Sequence, residues 1–152
     1  MSPTPTVSAT YTTLLPADTA WLSGVRRLTS ARLRHWGLGS GTVEDAVLIA
    51  DELFANAVQH GSASARDEVS LSLALGHGEL RIAIADTSSL TPRCRQPSED
   101  EECGRGLLLI EAVADKWGTE PVGCGKATWA VLVLWPCPPP QQQEPQTAAW
   151  PR

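Results

Sequence analysis

The stretch VEDAVLIADELFANAVQHG, Val43 to Gly61, places apolar residues at helical intervals and carries Glu52, Asn56 and His60 at steps of four. Residues four apart stack on one side of an α-helix. Val47, Ala50, Phe54, Ala57 and Val58 follow the same period and face a core, so the polar stripe can line a cleft. A carboxylate one turn from a carboxamide sets a base beside an oxygen donor for a hard cation. Alone this pairing decides little, because Glu and Asn four apart also occur on many solvated helix faces.

A second stretch changes its weight. In GRGLLLIEAVADKWG, Gly104 to Gly118, a glycine-rich turn opens directly into a helix. A helix start of this kind offers backbone N–H groups and the positive end of the macrodipole to an anion. Between the two lies EVSLSLAL, 68 to 75, which alternates apolar and polar residues. Gly76 to Gly78 then turn tightly into ELRIAIAD, which alternates again up to Asp86. Period and turn chemistry make this a hairpin.

Further out, ATYTTLL at 9 to 15 reads as a first strand stopped by Pro16 and Asp18. Asp18 is placed to cap a helix from Thr19 to Trp36 that Gly37 and Gly39 end, and Thr42 to cap the next. A short strand near Trp117 to Pro121 leads to KATWAVLVLW, the strongest strand signal in the chain. Residues 1–8 form a Ser, Thr and Pro arm, and 136–152 a Pro- and Gln-rich extended tail. The Pro-rich, Ser-rich and acidic segment 87–103 reads as a lid. The pattern predicts one domain over 9–135, a mixed, largely antiparallel sheet of about five strands with three main helices on one face, in the α+β class. Pattern alone leaves the strand order open.

Taken in order, ELFANA at 52 to 57, IADTSS at 84 to 89, GRGL at 104 to 107 and GKATWAVL at 125 to 132 resemble the ATP-binding domain shared by histidine kinases, Hsp90, gyrase and the MutL proteins. The nearest likeness is to the small anti-sigma-factor serine kinases of bacteria. It spans about residues 10 to 134, and the joint order of motifs is more specific than any one of them. The resemblance implies the same α/β sandwich, with ATP and Mg²⁺ held between helices and sheet.

It also implies roles. Asn56 is the Mg²⁺ ligand and Glu52 the general base. Asp86 accepts a hydrogen bond from the adenine amino group, and Thr128 supports the base. Gly104, Gly106 and Leu107 shape the phosphate turn, where Arg105 contacts a phosphate oxygen. On residue chemistry alone Asp86 is equally a turn former, Thr128 a strand former, and Glu52 a surface carboxylate. His60 either ends the helix or lines the cleft.

Composition narrows the class. The 152 residues suffice for one domain, and four scattered cysteines, Cys94, Cys103, Cys124 and Cys137, read as free thiols in a reducing compartment. No apolar run approaches the roughly 20 residues of a membrane helix. A net charge of −5 argues against a nucleic-acid surface. The one basic cluster, Arg26, Arg27, Arg32 and Arg34, is most simply a solvated helix face, with a docking site for an acidic protein as the alternative. A cytoplasmic location is expected.

By resemblance, the chain phosphorylates an anti-sigma antagonist protein on Ser or Thr and holds a sigma factor, with a homodimer expected on the same ground. The alternative is a non-catalytic, partner-sequestering module that binds nucleotide weakly or not at all. Asp86 is followed by Thr87, Ser88 and Ser89 where the family commonly has glycines, and Glu99 to Glu102 make the lid acidic. A third reading, ATP hydrolysis as a conformational switch, would have Glu52 activate water.

Overall fold

A computed structural model describes residues 8–60, 68–86, 104–122 and 125–134; the expected lid and tail, and the arm up to residue 7, lie outside them. Five strands, β1 (Ala9–Pro16), β2 (Glu68–Gly76), β3 (Glu79–Asp86), β4 (Lys116–Val122) and β5 (Gly125–Val133), form one sheet in the order β1-β2-β3-β5-β4. All four pairings are antiparallel. The helices are α1 (Leu22–His35), α2 (Ser40–His60) and α3 (Gly104–Val113). None among the described residues is long and apolar enough to cross a membrane.

Local chemistry accounts for the boundaries. Asp18 caps as expected, its Oδ1 accepting from the Ala20 N–H at 3.0 Å. The element it starts is a 3-10 turn, Thr19–Trp21, which passes into α1 rather than forming one continuous α-helix. At the other end Gly37, with φ 87°, takes the left-handed conformation that ends helices cheaply only at glycine. The Gly37 N–H donates to Arg34 O, and the Leu38 N–H donates to Leu33 O at 3.1 Å. This double closure seats Leu38 on Leu33, both buried. Because the turn is finished at Leu38, α2 restarts at Ser40, and Thr42 lies inside its first turn rather than capping it. Gly39 O accepts the Val43 N–H instead, at 3.0 Å.

The hairpin turn between β2 and β3 is made by His77 and Gly78, both at positive φ, which matches the twist of the two strands. Register then decides the core. Leu71 stands opposite Ile84, Leu73 opposite Ile82 and Leu75 opposite Leu80. These side chains project from one face and are buried with Ile49, Leu53 and Phe54 of α2. Ala50 is buried too, while Val47, Ala57 and Val58 pack at the margin of the core. Fully burying one Leu or Ile in this way stabilises by about 1.5–3 kcal/mol. Leu33 is core and Leu28 is packed against it, whereas Trp21 remains exposed.

Candidate functional site

α2 is the hub of the molecule, in contact with α1, α3, β2, β3 and β5. Every expected site residue therefore lies on α2 or on an element that packs against it. Glu52 and Asn56 are both half-buried on α2, and His60 is its last residue. Consecutive residues are about 100° apart around a helix, so Glu52 turns away from its neighbour Asp51, which faces α1. There Asp51 accepts a 2.9 Å ion-paired hydrogen bond from Arg26.

The Glu52 carboxyl is held above the usual carboxylate range, first because burial penalises its charge and second because Asp51 adds a like charge beside it. Both causes make Glu52 a stronger proton acceptor than a surface glutamate, which suits a general base.

Two strands supply the second half of the site. Ile84 of β3 stands opposite Thr128 of β5, and Asp86 lies one pleat beyond Ile84 on the same face. Asp86 and Thr128 therefore share the helix-facing side of adjacent strands, near the end where β3 finishes and β5 begins. Thr128 is buried and Asp86 half-buried. Thr119 of β4 pairs with Thr128 on the edge side.

Gly104 opens α3, so Gly104, Arg105 and Gly106 belong to its first turn, where backbone N–H groups have no acceptor within the helix. Leu107 packs its side chain against the core, so a ligand would meet it through the main chain.

One residue of the site was passed over in the sequence. A Cβ placed on Gly125 would fall 2.8 Å from the Asp86 carbonyl oxygen, 3.3 Å from its Cβ and 3.6 Å from its Cγ. Asp86 thus occupies the space a side chain at 125 would need. The available signal was a glycine at the start of a strong strand, a position that often marks close backbone approach.

Three arginines of the basic cluster make individual contacts. Arg26 pairs with Asp51, the Arg32 guanidinium lies 4.3 Å over the Tyr11 ring, and Arg34 Nε donates to Ser30 Oγ at 3.1 Å. An open groove of about 990 Å³ between α1 and α2, lined by Arg26, Arg27, Arg34, Val47 and Leu48 among others, contains none of the expected nucleotide-site residues.

The donor set fits Mg²⁺ bound together with a nucleotide. No group of three or more His, Cys, Asp or Glu is gathered as a metal cluster among the described residues. Mg²⁺ does not require one, since it commonly takes one or two protein oxygens and completes its shell with phosphate and water. The shared face of Asp86 and Thr128 sets a carboxylate and a hydroxyl on adjacent strands, a pairing that suits a hydrogen-bonding base.

The helix bearing Glu52 and Asn56 packs over the antiparallel sheet bearing Asp86 and Thr128 as an α/β sandwich. The chain belongs to the histidine kinase-like ATPase domain family, whose model matches residues 15–131. Among solved structures it is similar to the RsbU and RsbW domains of Rv1364c from Mycobacterium tuberculosis, at 23% identity and a TM-score of 0.60 over 87% of this chain. The chain spans 32% of the length of that protein. It is also similar to the histidine kinase domain of a blue-light activated histidine kinase from Erythrobacter litoralis EL346, at 21% identity and a TM-score of 0.47, covering 90% of this chain and 67% of that one. A search of curated proteins found no match.

Proposed function

We propose that this protein is an ATP-dependent serine/threonine kinase of the anti-sigma type, which phosphorylates a small antagonist protein and otherwise holds a sigma factor, acting in the cytoplasm as a homodimer. The observation that carries the reading is the half-buried pair Glu52 and Asn56 on α2, set over the strands that bear Asp86 and Thr128. The similarity to a solved protein that includes an RsbW domain supports the choice of partner class.

In this reading Asp86 accepts a hydrogen bond from the adenine amino group, and Thr128 steadies the base through its hydroxyl. The first turn of α3 directs its N–H groups at the phosphates. Asn56 offers its side-chain oxygen to Mg²⁺, which when bound draws negative charge off the phosphates. Glu52 accepts the proton of the partner's Ser or Thr hydroxyl as that oxygen bonds to the γ-phosphorus, and ADP departs with the electrons of the broken P–O bond.

The first test is calorimetric titration with ATP and ADP, with and without Mg²⁺, on the intact protein and Asn56→Ala. Magnesium-dependent binding lost in the variant supports the site; no heat and an unchanged melting temperature with either nucleotide would leave the sequestering module suggested by the Thr87-Ser88-Ser89 segment and acidic lid, which lie outside the described residues. Incubation of candidate antagonists with γ-labelled ATP then separates the chemistries. Label on protein Ser or Thr supports the kinase, whereas free phosphate without protein label would point to hydrolysis.

A further inference from the structure

We propose that Gly125 is a positioning residue for nucleotide selection: the space left by its missing side chain seats Asp86, and this fixes the carboxylate that distinguishes adenine from other purines. The inference rests on the ATP-binding reading above and assigns a further residue to the same site.

The pairing of β3 with β5 ends at Ala85 opposite Ala127, one residue before Asp86 and two residues after Gly125. A Cβ at 125 would lie 2.8 Å from a backbone oxygen, nearer than real Cβ atoms come to such a neighbour, and backbone cannot swing aside as the tip of a long side chain can. Any residue other than glycine must therefore push the end of β3 away from the start of β5. The same Cβ would stand 3.6 Å from Asp86 Cγ, so a methyl group would also take water from one side of the carboxyl group. Thr128, three residues along β5, is anchored by pairings on both sides, with Ile84 and with Thr119. Displacement would thus fall on Asp86 and alter its separation from Thr128.

Gly118 serves as a comparison. Its Cβ would meet the Trp129 ring at 2.8 Å, which makes it another tightly packed glycine of the same sheet. Its neighbour, however, is a side chain that has no part in the proposed site.

The chemical readout is the preference for ATP over ITP. The amino group of adenine donates to a carboxylate, whereas hypoxanthine presents a carbonyl oxygen at that position and opposes two acceptors. A hydrogen bond to a charged group is worth about a 10- to 100-fold difference in affinity. The intact protein is expected to prefer ATP by that factor. Gly125→Ala and Asp86→Ala should each reduce the preference to within about twofold, and the double variant should match Asp86→Ala alone, because residues acting through one contact are not additive. Gly118→Ala should keep the preference, even if its melting temperature falls.

Calorimetric titration of ATP and ITP against all five proteins, with circular dichroism to verify folding, decides the matter. If the intact protein binds neither nucleotide, the ATP-binding reading itself fails. If it binds ATP with no preference over ITP, Asp86 does not read the base and the proposal falls. If it prefers ATP and Gly125→Ala keeps the full preference, positioning by Gly125 alone is overturned. A Gly125→Ala protein that does not fold overturns it as well, since the glycine would then serve the sheet as a whole.

Discussion

β2 and β5 are both nine residues long and both pack beneath α2, yet they are used differently. On β2 the inward residues are Val69, Leu71, Leu73 and Leu75, all buried and all large. On β5 the corresponding face carries Thr128, Ala130 and Leu132, with only one large apolar side chain, and Gly125 at the start of the strand lies against Asp86. A filled β2 face supplies core energy. The smaller β5 face gives up some of that energy and supplies a buried hydroxyl and a close backbone approach. One sheet therefore has a half that holds the fold together and a half suited to a ligand.

The sharpest test of this division is Glu52→Gln, which keeps the shape and removes the base. Phosphoryl transfer to a partner should fall by about 10²- to 10⁴-fold, the usual contribution of a positioned general base, with nucleotide affinity retained. Leu73→Ala should do the reverse, lowering stability by about 2–5 kcal/mol in denaturant unfolding while the ATP affinity of the folded protein stays the same. Thr128→Val substitutes a similar volume for a hydroxyl. Its affinity for ATP should drop about 2- to 10-fold, corresponding to one ordinary hydrogen bond, with little change in unfolding midpoint. If Leu73→Ala weakened nucleotide binding in the folded protein, or Thr128→Val unfolded it, the two halves would not be separable.

Glu52 also predicts a small effect of pH on stability. Its folded-state pKa is raised, so the folded protein binds the proton more tightly than the unfolded chain does. Stability from this group is complete below the ordinary glutamate pKa of about 4.3 and is lost as pH rises through the folded value. Glu52→Gln should therefore raise the melting temperature at pH 7 relative to the intact protein, and the gain should vanish near pH 3.5, roughly a unit below that pKa. Smallest of all, Arg26→Met breaks an ion pair whose arginine side chain is 47% exposed. Solvent screening holds its cost to less than about 1 kcal/mol, measured by urea unfolding.

Much of this was legible in the sequence because it is local. Alternation in EVSLSLAL and ELRIAIAD fixes which residues share a face, and the Gly76 to Gly78 turn fixes that the strands pair. Asp18 and Gly37 mark the ends of a helical segment through groups within a few residues of each other. Thr42 misled because it has the chemistry of a cap, while the closed turn at Leu38 lets the helix begin earlier. The basic cluster of α1 was equally ambiguous, since its partners Asp51 and Tyr11 lie on other elements.

The sequence by itself determined the elements, the inward faces of the strands and the polar line of Glu52 and Asn56, since each depends on a period of two or of 3.6 residues. Tertiary structure alone decided that β5 lies between β3 and β4, which brings Thr128 beside Ile84 and Gly125 against Asp86 across some forty residues of chain. Strand order depends on which faces can be buried together, a property of the whole sheet that no local period encodes.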